Sequence, residues 1–333
     1  MKPNFRIITD GKDLTEAIKS RLLSLSIKDE SGFKSDSLSL ILADEPPIEW
    51  PKDGQVFEIA IGYEDVLVNI GSFAAKHIAV SGPPRTLKIE ATALQQNKSL
   101  GSQREESWEQ ITFGDIVGEI ARRNQLRPAV SGDLRSIQIE HEDQTESDIA
   151  FLTRLGRRYD AVIKVSRGFL VASKSGKAQT VSGSELPRII IASPISFEYS
   201  GDQTKGYTGV RTFWYDSGEA RKNYILAGRE GVVLDLQFNK TNEHEARAAA
   251  EAKFHEVARK GKTLSLTMTG NPELAAERKC LLSGIREGVD GEWIIKSVEH
   301  TIDGSGFLSK VECEVDGYHE SKLGEFEDDE ELT

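Results

Sequence analysis

Two stretches of the chain, about 220 residues apart, spell nearly the same β-hairpin. The first reads Gly71-Ser-Phe-Ala-Ala-Lys-His-Ile-Ala-Val80, turns at Gly82-Pro-Pro84, and returns as Thr86-Leu-Lys-Ile-Glu90. The second reads Gly291-Glu-Trp-Ile-Ile-Lys-Ser-Val-Glu-His300, turns around Asp303-Gly-Ser-Gly306, and returns as Leu308-Ser-Lys-Val-Glu312. Gly, aromatic, Lys and β-branched residues recur in step; the alternative is that two strand-turn-strand segments rich in Gly and Lys look alike by chance. An apolar run precedes each hairpin: Val56-Phe-Glu-Ile-Ala-Ile61 in the first copy, Cys280-Leu-Leu-Ser-Gly-Ile285 in the second. The implied unit is a small β-barrel or sandwich, and a β-module present twice suggests a ring-builder.

With 333 residues the chain has room for two or three domains, each with its own core. No stretch approaches the ~20 apolar residues of a membrane span, so no membrane anchoring is expected. Met1-Lys-Pro-Asn-Phe-Arg-Ile-Ile-Thr-Asp10 lacks an apolar signal core, which argues against secretion by a cleaved signal peptide, and the chain is expected to be made and to stay in the cytoplasm unless a machine exports it. The formal net charge of -12 disfavours tight binding of a phosphate backbone. An acidic tail, Glu325-Phe-Glu-Asp-Asp-Glu-Glu331, is too charged to fold alone. Cys280 and Cys313 each sit in an alternating apolar run and read as small buried thiols that could lie near one another.

Residues 1–100 read mostly as strands. Leu23, Leu25 and Ile27 alternate with polar residues, as do Leu38, Leu40 and Leu42; Leu14 to Leu22 suggests one short helix. Residues 101–175 form a compact α+β insert. Thr112 with Asp115 opens a helix whose apolar stripe is Ile116, Val117, Ile120 and Ala121, ended by Asn124. A second helix starts at Thr145 or Ser147 and closes near Gly156, and a hairpin follows over 161–165 and 169–172. Residues 176–230 read as linker and connecting strands, with a mobile, polar start at 173–185. A second β-domain spans 231–320, built on alternation at Val232, Leu234, Leu236 and Phe238 and again at Leu264, Leu266 and Met268. One helix interrupts it, opened by Asn242 with Glu245 and closed by Gly261. Residues 321–333 are the acidic tail.

The chemistry-bearing patterns are sparse. There is no phosphate-cradling Gly-rich loop followed by Lys-Ser or Lys-Thr, no Gly-x-Ser-x-Gly elbow and no His-Glu-x-x-His. His244 and His255 share a helix face but stand about 16 Å apart at 1.5 Å per residue, too far for one metal. The dense acid cluster outside the tail is His141, Glu142, Asp143, Glu146 and Asp148, which could supply a carboxylate pair for glycoside cleavage. The N-terminal dipole and free N–H groups of a helix explain Glu146 and Asp148 without catalysis. The four tryptophans are scattered, so no stacking platform for a carbohydrate-binding module is visible, and Phe213-Trp-Tyr215 reads as a half-buried strand. No catalytic, metal-binding or cofactor-binding residue is assigned, and no cofactor is expected.

Gln144-Thr-Glu-Ser-Asp-Ile-Ala-Phe-Leu-Thr-Arg-Leu155 with Gly168-Phe-Leu170 resembles a signature of the phage late control protein D family, tail hub proteins of contractile phages. Phe5-Arg-Ile with Asp10-Gly-Lys-Asp13, Ser35-Asp36 with Leu38 and Leu40, and Gly270-Asn-Pro272 with Gly291-Glu-Trp293 are similar to the family's opening and closing units. The resemblance extends over nearly the whole chain, and similar modules begin type VI secretion spike proteins. It implies a mainly β fold with an α+β insert, two tail-tube-like β-barrel domains flanking a helix-and-hairpin domain. It implies a structural protein, not an enzyme: a homotrimer imitating a six-fold ring between a hexameric tail tube and a trimeric spike. The spike would be a separate polypeptide, other baseplate proteins would be neighbours, and DNA or a tape-measure protein would pass through a lumen lined by part of the acidic excess. The expected location is the host cytoplasm during assembly, then the virion or a phage-tail-like particle. A tail-associated cell-wall glycosidase using the carboxylates at 141–148 is the alternative.

Overall fold

The structure, a computed structural model, describes residues 2–32, 35–93, 98–166, 168–176, 187–201, 207–216, 221–237 and 242–315. The acidic tail, Phe238 and most of the polar segment at 173–185 lie outside the described residues.

In chain order, the first run comprises β1 (Pro3–Thr9), β2 (Lys12–Asp13), α1 (Thr15–Lys19), β3 (Leu22–Glu30), β4 (Ser37–Ala43), β5 (Val56–Tyr63), β6 (Val66–Ser81) and β7 (Thr86–Ala93). The middle run is β8 (Glu106–Thr112), α2 (Phe113–Arg123), β9 (Arg127–Val130), α3 (Gly132–Arg135), β10 (Gln138–Gln144), α4 (Asp148–Arg158), β11 (Ala161–Ser166) and β12 (Phe169–Lys174). Then come β13 (Ile189–Ile191), β14 (Ser196–Gly201), β15 (Gly209–Asp216), β16 (Arg221–Gly228) and β17 (Val233–Asp235). The chain continues with α5 (Glu243–Gly261), β18 (Lys262–Thr269), β19 (Lys279–Leu282), β20 (Gly291–Asp303) and β21 (Gly306–Glu314).

The alternating runs form strands because their apolar side chains all point one way. Leu25, Ile27, Leu38 and Leu40 are buried with Ile7, Ile59, Phe73 and Leu87 in one core, and Leu264, Leu266, Trp293, Val298 and Val311 build another. The helices are positioned by their caps. Thr112 Oγ1 accepts from the Asp115 backbone at 3.1 Å, Ser147 Oγ from Ala150 at 3.4 Å and Asn242 Oδ1 from Glu245 at 2.9 Å, each satisfying a donor that the helix cannot. The insert buries Phe113, Ile116, Phe151 and Leu155 between its helices and the small sheets β8–β10 and β9–β12–β11. Gly156 lies inside α4, which runs on to Arg158.

Among the described residues, thirteen strands join in one sheet that runs β14-β18-β21-β20-β3-β4-β7-β6-β5-β1-β2, with β19 and β13 branching from β20. This departs from two separate closed barrels: the order stays open, and the two β-runs share the sheet. The cause is the length of β20. Its first part pairs with β19, and from Ser297 onward it pairs antiparallel with β3, His300 opposite Ile27 and Ile302 opposite Leu25. β17 also departs from the expected second β-domain. It pairs with β15 in a separate sheet, β16–β15–β17, which α5 covers through Val210, Ile225, Ala246, Ala250 and Phe254.

The hairpin echo reappears in the pairing. Around β6 the order is β3-β4-β7-β6-β5; around β20 it is β14-β18-β21-β20-β19. Ile89 stands between Ile78 and Leu40, and Val311 between Val298 and Leu266. Both long strands shift register at the same repeat position, Lys76 in β6 and Lys296 in β20. Gly71 and Gly291 both adopt positive φ, 152° and 139°, which a side chain would resist. Phe57 faces Phe73 and Cys280 faces Trp293, so Cys280 corresponds to Phe57; a slip of one would turn the strand inside out. The matching positions differ in direction at the flank: β1 is antiparallel to β5, whereas β13 is parallel to β19.

Gly270 lets the two β-runs interpenetrate. A Cβ there would lie 2.1 Å from Phe307 Cγ, and Phe307 is buried in the core of the first run, its ring 5.4 Å from that of Tyr63. Gly270→Ala is expected to lower stability by about 1–3 kcal/mol through displacement of Phe307, as read from chemical unfolding.

Candidate functional site

The acid cluster tests the glycosidase alternative. Ser147 begins α4 so that Asp148 points into the insert, where it is fully buried against Arg123 of α2, Asn124 Nδ2 at 2.8 Å and Gln144 Nε2 at 2.8 Å. Glu142, also buried, accepts from Arg154 at 2.7 Å and pairs with Arg158, and Glu146 accepts from Arg154 Nε at 2.7 Å. Burial would raise the carboxyls of Glu146 and Asp148, but hydrogen bonds from Arg154 and Arg123 outweigh it and hold both below the usual carboxylate range. Ser107 and His141 likewise lower exposed Asp143. Glycoside cleavage needs one carboxyl raised enough to donate a proton, and these three are pushed the other way. The cluster fastens α4 to β10 and α2. Asp148→Asn is therefore expected to lower unfolding stability by about 2–4 kcal/mol, since Arg123 would lose its buried partner. Far-UV circular dichroism in denaturant checks this.

Among the described residues, no group of His, Cys, Asp and Glu could hold a metal ion. His244 and His255 both line a shallow cleft between α5 and the insert, where His255 Nδ1 lies 3.3 Å from Asp160. Cys280 and Cys313 do lie together, Sγ to Sγ 3.8 Å, buried and unbonded; that contact and burial push the Cys313 thiol up, away from reactivity.

What the fold offers is sheet edge and exposed apolar surface. The β3–β20 junction covers Leu25 and Ile27, each 1% exposed, and is reinforced by Ser26 Oγ donating to Glu299 at 2.7 Å and by the Ser31 amide donating to Lys296 at 3.0 Å. Elsewhere, edges keep apolar side chains in the open: Ile195 and Phe197 at β14, Ile190 in β13, Val66 and Val80 at the two ends of β6. Edge backbone with apolar neighbours is surface suited to pairing with another chain. Sequence patterning marks these residues as apolar but carries no sign that they are uncovered.

A family model described as phage tail baseplate hub (GPD) matches residues 93–306. The chain is 30% identical to the probable baseplate hub protein of Escherichia phage 186, over 90% of each. The tail protein of Neisseria meningitidis MC58 superposes with a TM-score of 0.72 at 12% identity, covering 96% of this chain and 99% of that one. An Escherichia coli component of the type VI secretion system superposes with a TM-score of 0.55 at 10% identity, covering 94% and 76%. These last two similarities concern the fold. With its sequence matched over most of its length, the chain belongs to the phage tail baseplate hub (GPD) family.

Proposed function

We propose that three copies of the chain close into a ring in which each contributes two equivalent, tail-tube-like β-units, so that a trimer presents a six-fold face to a hexameric tail tube and a three-fold face to a separate trimeric spike. The observation that carries this reading is the repeated strand order around β6 and β20, down to the shared register shift at Lys76 and Lys296. Two copies of a unit within one chain convert three-fold into near six-fold symmetry without a second gene. Other baseplate proteins would surround the ring, and DNA or a tape-measure protein would pass its lumen. The native mass of the purified chain, by light scattering, tests the reading. A species of three times 36.8 kDa supports it, and a chain that stays monomeric at high concentration and with spike protein added contradicts it.

A further inference from the structure

The internal junction consists of two edges, and each has a counterpart at the other end of the sheet. β3 flanks β4 as β14 flanks β18, with Leu25 opposite Leu40 and Phe197 opposite Leu266. The second half of β20 follows the Lys296 shift just as residues 77–81 of β6 follow the shift at Lys76. Inside the chain, β3 lies against that half of β20. Among the described residues, β14 pairs with β18 alone and residues 77–81 pair with β7 alone.

Exposure follows the same logic. Leu25 and His300, covered by the junction, are 1% and 2% exposed; their counterparts Phe197 and Val80 are 47% and 44% exposed. We infer that β14 of one copy adds antiparallel to residues 78–81 of β6 in the next copy, in the register of the internal junction. This deepens the ring reading and rests on it. Transferring the pair His300 with Ile27 places Val80 opposite Tyr199, and the neighbouring pairs become Ala79 with Ser200 and Ser81 with Glu198. Pro83 and Pro84, which lack an amide donor, end the ladder where the turn begins. Each copy carries one edge of each kind, so the contact is head-to-tail, and every junction between β-units is of one type, alternately within and between chains. Identical successive junctions let such a head-to-tail contact close into a ring.

Disulfide trapping tests the register. Directly opposed antiparallel residues have Cα atoms about 4.5–5.5 Å apart, within disulfide reach, and native Cys280 and Cys313 are buried. Under mild oxidation the double variant V80C/Y199C is expected to run on non-reducing gels as a ladder ending at the ring size. V80C mixed with Y199C is expected to stop at a covalent dimer, and either single variant alone to stay monomeric on the gel. Because Tyr199 packs edge-on against Trp293, A79C/S200C is the second pair and is expected to give the same ladder. An oligomer by light scattering in which neither pair cross-links overturns this junction and leaves the hub reading standing; so does cross-linking by one single variant, which signals a two-fold contact. A chain that is monomeric by light scattering and un-cross-linked overturns both.

Discussion

Leu25→Asp is expected to abolish folding, while Phe197→Asp, at the matching place in the other β-unit, is expected to leave a folded chain that no longer assembles. Leu25 is buried among the first core and capped by the β20 strand. Removing its side chain alone forfeits about 2–5 kcal/mol, and an unpartnered carboxylate in its place adds several more. Together these approach the ~5–15 kcal/mol by which a typical domain is stable. Phe197 is half exposed at an edge, so an aspartate there meets water in the single chain and the change in its stability stays near ±0.5 kcal/mol. Soluble yield, thermal unfolding and light scattering of the two variants check the contrast. Assembly that survives Phe197→Asp would show that Phe197 lies outside any contact between copies, and a folded Leu25→Asp chain would show that the internal junction does not depend on Leu25.

Arg259→Ala is expected to destabilise the chain by about 3–5 kcal/mol. Arg259, near the end of α5, grips Asp160 in a two-pronged pair at 2.5 and 3.1 Å, with His255 Nδ1 at 3.3 Å and Glu314 at 3.6 Å. Asp160 is buried just after α4, so the pair ties α5 to the insert, 99 positions away in sequence. Taking away the guanidinium strips a buried carboxylate of its main partner, and that loss exceeds the net worth of the pair. Arg259→Met combined with Asp160→Asn should recover part of the loss, because the buried carboxylate at 160 is gone and asparagine accepts the positive φ of 49° there. The pair also sets a pH dependence. Burial would raise the Asp160 carboxyl, but hydrogen bonds from His255 and Arg259 hold it at about 2, below its ordinary 3.8. A carboxyl depressed in the folded state binds fewer protons there than when unfolded. Its contribution, on the order of 2 kcal/mol, is present above pH 3.8 and lost as pH falls towards 2. Denaturant unfolding between pH 2 and pH 5 should show that slope in the native chain and a weaker one in Arg259→Ala.

The parts of the fold that were legible in the sequence are those with local causes. Thr112, Ser147 and Asn242 announced their helices because a side-chain oxygen three residues from a free amide is a local fact. Alternation at Leu25 and Ile27, or Leu264 and Leu266, announced strands for the same reason. The hairpin echo was readable, and the shared shift at Lys76 and Lys296 gives it a structural counterpart. What escaped was long-range. The pairing of β3 with β20 joins segments some 270 residues apart and leaves no mark within either. Glu146 and Asp148 were readable as helix-start acids, but their arginine partners on α2 and α4 were not, since Arg123 lies 25 positions from Asp148. The free edges at Phe197 and Val80 were hidden altogether, because exposure depends on which strand is missing from beside them.

The most direct test of the whole account is a cryo-electron-microscopy reconstruction of the assembled chain, calculated with no symmetry imposed. Three chains forming six nearly equivalent β-units around a lumen are expected, with β14 of each lying along β6 of the next. Three chains whose two β-units sit at different radii, or an assembly without a central channel, would contradict it.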